Sequence, residues 1–184
     1  EVVGRAQHRL RALQEALRTD RTADHTYMSS QRASLDLQIP SSLRGRRVLV
    51  VDDNRMNREV AQDLLELAHI RVTTASSGNE ALALLQTVSV DAVLLDVQMP
   101  EMDGLAVARH IRENPLWKDL PVWALTAQAR TEDRQAILAS GMNGQLTKPI
   151  NAQLLFQTLA HTFMHLPPVP TDTAAAAPPP VTYG

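Results

Sequence analysis

Apolar and polar positions follow two different periods along the middle of the chain. Short apolar runs, typical of buried strands, occur at 48–51, 72–75, 92–95, 122–125 and 145–147. The segments after them repeat apolar residues at three- and four-residue steps, which predicts helices at 56–68, 78–86, 104–112, 131–140 and 151–163. Five strand–helix repeats with nearly all-apolar central strands predict an α/β fold: a doubly wound (βα)5 domain whose five-stranded parallel sheet is covered on both faces.

The segments that flank this region have different patterns. Residues 1–20 are predicted to form a helix with an Arg-rich face and an apolar stripe of Val3, Ala6, Leu10, Leu13 and Leu17. This helix is either the end of an upstream module or an interface helix, and pairing through its stripe would give a homodimer. Residues 21–45 are predicted to be a linker, residues 46–166 the folded domain, and the Pro/Ala-rich residues 167–184 a disordered tail.

Composition and charge narrow the function classes. Of 184 residues, 44% are hydrophobic, enough for a packed core, and the net charge of −2 gives no general attraction to nucleic acid or anionic lipid. The absence of cysteine excludes disulfides and Cys-ligated zinc. No apolar run approaches the roughly 18 residues that a bilayer span requires. The chain begins with Glu1 rather than methionine, so we expect it to be a piece of a longer protein.

The charge is also unevenly distributed. Residues 1–47 contain nine basic and five acidic side chains, whereas residues 48–184 contain nine basic and fifteen acidic ones. The acidic region, which contains all the predicted strands, therefore suits a domain that binds a metal cation.

Polar side chains end four of the five predicted strands. Asp52 and Asp53 follow the first strand, Asp96 the third, Thr126 the fourth and Lys148 the fifth. A single Asp at such a position is usually a turn or helix-capping residue. Because the carboxyl ends of parallel strands lie at one edge of a sheet, where α/β folds bind ligands, the whole set predicts a site.

The residue types at this edge predict phosphoryl chemistry. Three neighbouring carboxylates repel one another, and a hard divalent cation such as Mg²⁺, with Mn²⁺ as an alternative, relieves the repulsion. Such a cation also neutralises phosphate oxygens during transfer, and an Asp can itself be the nucleophile that forms an acyl phosphate. Lys148 supplies a positive charge and Thr126 a hydroxyl donor that suit a phosphoryl group on Asp96.

Four motifs, VLVVDDN, LLDVQMPEMDG, ALTA and LTKP, resemble the receiver domain of two-component response regulators over about 120 residues, from Arg46 to His165. Thr126 and Lys148 lie thirty and fifty-two positions after Asp96, as in that family. The resemblance implies a flavodoxin-like fold and Asp96 as the phospho-acceptor. It also implies a Mg²⁺ site made by Asp53 directly, by Asp52 mainly through water, and by Asp96 and the backbone carbonyl of Gln98.

The resemblance assigns further roles and shows one departure. Lys148 would pair with Asp96 or its phosphate, Thr126 would move to bond the phosphoryl group, and the small Ala127 would leave room for it. Pro100 and Gly104 would shape the loop after Asp96, and the Lys148–Pro149 bond would be cis. Many receivers have Tyr or Phe three residues before the Lys, as a rotamer switch coupled to the Thr. Here Gln145 occupies that position, so we do not expect an aromatic ring to signal phosphorylation in this chain.

The local sequence favours one domain context. Asn54, Met56 and Asn57, with MPEMDG and GMNGQLTKPI, resemble receivers attached to hybrid histidine kinases. We therefore expect a hybrid kinase as the parent protein, with a stand-alone response regulator as the alternative. The expected partner is a histidine kinase or a histidine phosphotransfer domain, with neither nucleic acid nor membrane bound by this chain. The expected location is cytoplasmic, even if the parent is membrane-anchored.

Two alternatives of other classes are weighed against the receiver. A phosphatase of the haloacid-dehalogenase type also uses an Asp nucleophile, Mg²⁺, a hydroxyl and a Lys, but places its nucleophile after the first strand in an Asp-x-Asp pattern. A degenerate receiver would keep the fold for docking alone; retention of both acids of the pair, Asp96, Thr126 and Lys148 argues against it. Whether the chain counts as an enzyme depends on context, because a receiver phosphorylates itself while its parent kinase is a phosphotransferase.

Overall fold

The computed structural model describes residues 38–167 and residue 169. The predicted helix at 1–20, most of the predicted linker and nearly all of the predicted tail lie outside the described residues. Within the linker range, Ser41–Leu43 form a short 3-10 helix, and the side chain of Leu43 is fully buried. The packed domain therefore starts slightly before Arg46, because the Leu43 side chain belongs to the hydrophobic core on one face of the sheet.

All ten predicted strands and helices of the folded domain are present, with ends within one residue of the predicted ones. The strands are β1 (Arg47–Val51), β2 (Arg71–Ala75), β3 (Ala92–Asp96), β4 (Val122–Thr126) and β5 (Gly144–Thr147). The helices are α1 (Arg55–Leu67), α2 (Gly78–Leu85), α3 (Gly104–Glu113), α4 (Thr131–Ala139) and α5 (Ala152–Phe163). Among the described residues, no helix is both long and apolar enough to cross a membrane.

The five strands form one parallel sheet in the order β2-β1-β3-β4-β5. This order confirms the predicted doubly wound, flavodoxin-like (βα)5 fold. The chain passes from β1 outward to β2, then returns to the other side of β1 for β3, so the topological switch point lies between β1 and β3. Val51 pairs with Leu95 at that point, and the residues that follow each of them, Asp52 and Asp96, therefore reach the same edge.

Alternating side chains of the strands build a core on each face of the sheet. Val48, Val50 and Leu94 pack with α1 and α5, whereas Leu49 and Val93 pack with α2, α3 and α4. Every residue of β3 is buried, as expected for a central strand covered on both sides. Burial on both faces favours aliphatic side chains, which explains why β1 after Arg47 and β3 before Asp96 contain no polar residue.

Side-chain caps hold the loops at the carboxyl edge of the sheet. Asn54 accepts hydrogen bonds from the backbone amides of Met56 and Asn57 at the start of α1. Asp103 accepts one from Ala106 at the start of α3. Such caps satisfy amides that the first turn of a helix leaves unpaired. They also fix where each loop after β1 and β3 enters its helix, and so where the acids in those loops lie.

Candidate functional site

Three carboxylates meet at the switch point. One oxygen each from Asp52, Asp53 and Asp96 can be chosen so that all three lie within 4.8 Å of one another. Asp52 is fully buried and Asp96 is 4% exposed, whereas Asp53 lies on the surface. The fold thus brings together the three acids that the strand ends predicted, with two of them removed from water.

Lys148, which follows directly after β5, bridges the two buried acids. Its Nζ donates to Oδ2 of Asp52 at 2.8 Å and lies 3.2 Å from Oδ1 of Asp96. Burial by itself lowers the pKa of this amine, but the bonds and charges of Asp52 and Asp96 outweigh burial and raise its pKa. The ammonium therefore stays charged, and a single cation serves two buried carboxylates.

The Asp52 carboxylate is saturated with hydrogen bonds. Oδ1 accepts from the backbone amide of Asn54 at 2.9 Å, and the Asn57 side-chain amide approaches Oδ1 and Oδ2 at 3.4 and 3.2 Å. The ammonium of Lys148 occupies Oδ2 as well. With its oxygens held by protein donors, Asp52 suits a supporting role in which it orients water and adds negative charge.

Asp96 has one engaged oxygen and one that is available. Its Oδ1 accepts from the backbone amide of Gln98 at 3.1 Å, in addition to facing Lys148. Among the described residues, no hydrogen-bond donor reaches Oδ2. Burial, followed by the charge of Asp52, raises the pKa of Asp96, although the Gln98 amide and Lys148 pull the other way. The surroundings therefore destabilise the ionised form of Asp96, and a bound cation or a new covalent bond to its oxygen would relieve this penalty.

The donor set fits a hard divalent cation. Mg²⁺ takes oxygen ligands and usually keeps several waters, so it needs only one or two protein carboxylates on an open side. Asp53 offers an exposed carboxylate beside Asp96, and Asp52 adds charge behind them. The backbone of Gln98 lies next to Asp96, where its amide is already fixed, and its carbonyl remains a predicted ligand.

Thr126 ends β4 but does not yet face Asp96. Its hydroxyl donates to the carbonyl of Gln128 at 2.8 Å and accepts from the amide of the same residue at 3.2 Å. The neighbouring backbone is tied to the site, since the amide of Lys148 donates to the Thr126 carbonyl at 2.8 Å. The hydroxyl thus needs a rotation away from Gln128 before it can donate to a group on Asp96.

The position of the usual aromatic switch holds a buried polar group. Gln145 pairs with Ala124 across the β4–β5 ladder, and its Oε1 is buried without a hydrogen-bond partner among the described residues. Leu146 packs on the α1 and α5 side, so the alternation of β5 turns Gln145 toward α4. Trp123 packs with the α1 and α5 core and donates from Nε1 to Thr162 at 3.1 Å.

The loop after Asp96 depends on a residue without a side chain. A Cβ at Gly104 would overlap the backbone carbonyl oxygen of Asp96. The Gly104 amide donates to the Val97 carbonyl at 3.0 Å. The start of α3 therefore packs directly against the backbone of the acid. The Lys148–Pro149 bond is cis, as predicted.

Arg58 contributes to the site but was missed in the sequence. Its guanidinium donates from one nitrogen to the backbone carbonyls of Asp52 at 2.7 Å and Asp53 at 3.1 Å. Asn57, which the sequence indicated only as a marker of domain context, contacts Asp52 through its side-chain amide. Both residues lie in the first turns of the helix after the acid pair, so a position near the site could be expected, although their spacing does not show which atoms they contact.

Comparisons with known proteins are consistent with this geometry. The family model of the response regulator receiver domain matches residues 48–160. An uncharacterised 14.6 kDa protein of Leptolyngbya boryana is 42% identical over 121 residues, which are 66% of this chain and 92% of that protein. The sensor histidine kinase GacS of Pseudomonas protegens is 38% identical over 156 residues, and the match covers 82% of this chain but 17% of the kinase. The chain thus spans only a small part of that relative.

A solved structure of similar fold carries a cation in the corresponding domain. The receiver domain of a sensor histidine kinase of Pseudomonas aeruginosa was determined with a magnesium ion coordinated in its active-site cleft. It is 34% identical to this chain, with a TM-score of 0.61, and the match covers 65% of this chain and 98% of that domain.

Proposed function

Since this chain belongs to the response regulator receiver domain family, we propose that it accepts a phosphoryl group on Asp96 in a Mg²⁺-dependent reaction. The observation that carries the proposal is the arrangement of Asp96 itself. One oxygen is held by Lys148 and the Gln98 amide, the other is free of donors among the described residues, and two further acids lie within 4.8 Å.

The chemical step follows from that arrangement. The free carboxylate oxygen Oδ2 of Asp96 attacks the phosphorus of a phosphohistidine on a partner protein. The new O–P bond forms as the N–P bond breaks, and the electron pair of the broken bond returns to the imidazole nitrogen. Lys148 stays beside the carboxyl oxygen and offsets charge on the phosphoryl group, and Thr126 donates its hydroxyl to that group after leaving Gln128.

Asp53, Asp96 and the Gln98 carbonyl would hold Mg²⁺, or Mn²⁺ in its place, with Asp52 acting mainly through water. When bound there, the cation would supply positive charge to the phosphate oxygens. On the buried side, the ammonium of Lys148 favours the ionised form of Asp96, whereas burial and the negative charge of Asp52 raise the pKa of Asp96 and leave its carboxylate in need of a further positive partner.

The domain context is inferred from the relatives. The similarity to a sensor histidine kinase over 82% of this chain supports a receiver that belongs to a hybrid histidine kinase and exchanges phosphoryl groups with a histidine kinase or a histidine phosphotransfer domain in the cytoplasm. The 14.6 kDa relative, of which 92% is covered, favours a stand-alone response regulator as the second candidate. The full-length protein distinguishes the two: a kinase core on the same polypeptide as this receiver would show the hybrid context, and its absence would show the stand-alone regulator.

The test is incorporation of phosphate from acetyl phosphate and Mg²⁺, measured by intact mass. The wild-type protein should gain one phosphoryl group, and Asp96→Asn should gain none. Asp133→Asn, which removes an exposed acid on α4, is the matched control and should be labelled like the wild type. Labelling of Asp96→Asn at the wild-type level, or equal labelling with excess EDTA, would overturn the proposal. Repeated turnover of a small phosphoester by the wild type would instead support a phosphatase.

A further inference from the structure

The acid pair lies beyond the part of β1 that the sheet can hold. The ladder of β1 ends with Val51, and the amide of Asp52 makes the last contact to the neighbouring strand, donating to the Ala75 carbonyl at 3.2 Å. The carbonyls of Asp52 and Asp53 therefore have no strand partner. Their conformation has to be fixed by something else if Asp53 is to present its exposed carboxylate beside Asp96.

Arg58 supplies that restraint. One guanidinium nitrogen donates to both carbonyls, at 2.7 Å to Asp52 and 3.1 Å to Asp53, and among the described residues no other donor reaches either oxygen. The base of Arg58 is also fixed, because its backbone amide donates to the Asn54 carbonyl at 3.1 Å as α1 begins. Helix α1 thus holds the acid pair by its backbone, while Asn57 holds the Asp52 carboxylate.

We propose that Arg58 is a positioning residue for the cation site: it clamps the backbone of Asp52 and Asp53 so that the Asp53 carboxylate is placed for Mg²⁺ beside Asp96. The inference rests on the proposed function, since it assumes that this acidic cluster binds Mg²⁺.

Replacing Arg58 should change the Mg²⁺ affinity in the direction opposite to that expected from its charge alone. Arg58 places a positive charge at the back of a cation site, so loss of that charge alone should strengthen Mg²⁺ binding. Loss of the clamp should weaken it, because the acid pair would have to be ordered at the moment of binding. Two hydrogen bonds near the lower end of their ordinary net strength correspond to about a five- to tenfold change in affinity.

The matched control is Arg55, one turn earlier on the same helix. Its side chain is 73% exposed and pairs with Glu59 at 2.9 Å rather than with the acid pair. Arg55→Met therefore removes the same charge from the same end of α1 and leaves both clamped carbonyls intact. Arg58→Lys tests the conservative change, since lysine keeps the charge and a donating nitrogen but replaces the rigid guanidinium with a flexible ammonium group.

The experiment is titration of each folded protein with Mg²⁺ alone by isothermal calorimetry, with circular dichroism as the check on folding. We expect Arg55→Met to bind Mg²⁺ as tightly as the wild type or slightly more tightly, Arg58→Met to bind about five- to tenfold more weakly, and Arg58→Lys to lie between them. In acetyl phosphate labelling, the Mg²⁺ concentration for half-maximal rate should rise in parallel, by more than the maximal rate changes.

Three results would exclude the proposed role of Arg58, and one would exclude the cation site. If Arg58→Met binds Mg²⁺ as tightly as Arg55→Met, or if its maximal labelling rate falls while its Mg²⁺ requirement is unchanged, the clamp has no role in the cation site. Should Arg58→Met fail to fold, wild-type affinity in a folded Arg58→Gln protein overturns the proposal in the same way. If the wild type binds no Mg²⁺, the proposed function fails, and the role of Arg58 at a cation site fails with it.

Discussion

Replacing Asp96 with asparagine should make the metal-free protein more stable, because the buried site contains more negative charge than its one buried ammonium can offset. Lys148 contacts both Asp52 and Asp96, so two buried carboxylates share one positive charge. Asparagine keeps the shape of the side chain and an oxygen that can accept from the Gln98 amide. It leaves Lys148 and Asp52 as a one-to-one pair.

The size of the effect follows from the distances. Two unit charges 4.8 Å apart, the limiting separation of the acid oxygens, repel by about 3–4 kcal/mol at an effective dielectric constant of about 20. The attraction of Lys148 at 3.2 Å is about 5 kcal/mol on the same scale, but Asp52 competes for it and the exposed Asp53 opposes it. These terms nearly cancel, so the burial cost of the Asp96 charge remains, and we expect a gain of about 1–2 kcal/mol.

Urea denaturation in EDTA, followed by circular dichroism at neutral pH, measures this gain as the difference in free energy of unfolding. Asp53→Asn is the control and should give a smaller gain, because solvent screens the exposed Asp53. Mg²⁺ at about ten times its dissociation constant should stabilise the wild type by about 1.4 kcal/mol and Asp96→Asn by much less. An Asp96→Asn protein no more stable than the wild type in EDTA would refute the reasoning, since Lys148 would then more than balance the charge.

The advantage of Asp96→Asn should also depend on pH in a defined direction. Because the folded state raises the pKa of Asp96 above its ordinary value of 3.8, the folded protein holds that proton more tightly than the unfolded chain. The contribution of Asp96 to stability is therefore fully present below pH 3.8 and is lost as pH rises through the folded pKa. The difference between the two proteins in EDTA should be small in acid and should grow to a constant value as pH rises.

Three further substitutions test other contacts of the site, each by urea denaturation in EDTA. Lys148→Met should lower the free energy of unfolding by about 2–3 kcal/mol, because Asp52 and Asp96 lose their shared cation; an unchanged value would mean that water serves them equally well. Gly104→Ala should cost about 1–3 kcal/mol, since the new methyl group meets the Asp96 carbonyl, and should slow labelling; wild-type stability would show that the loop yields freely. Asn57→Leu should cost about 1–2 kcal/mol through the lost donor to buried Asp52, whereas a gain would show that the amide is dispensable there.

Some parts of the site could be predicted from the sequence because each residue's position depends mainly on its own strand. Strand ends at Asp52, Asp96 and Thr126 follow from short apolar runs that a polar residue terminates, and a parallel sheet brings such ends to one edge. The fifth apolar run identified Lys148 in the same way, and its spacing from Asp96 matches that of the family. The closeness of the three acids and the bridging by Lys148 agree with that expectation.

Other contacts of the site could not be predicted, because they join a side chain on one element to a backbone atom in a neighbouring loop. The sequence shows Arg58 as one of several arginines near the start of α1, and nothing in its spacing distinguishes it from Arg55. In the folded protein the two diverge: Arg58 reaches two carbonyls of the acid pair, while Arg55 lies in solvent against Glu59. The present orientation of the Thr126 hydroxyl toward Gln128 likewise depends on a loop conformation.

The sequence by itself determined the order of strands and helices, the two-sided core and the identity of the acids, because periodicity and strand length are local properties of a chain. Only the tertiary structure decided the charge balance of the site. Burial is set by the packing of both faces of the sheet, and it leaves Asp52 with no exposure, Asp96 with 4% and Asp53 at the surface. Three residues of one type thereby acquire three environments, and only Asp96 combines burial with an oxygen that no described donor occupies.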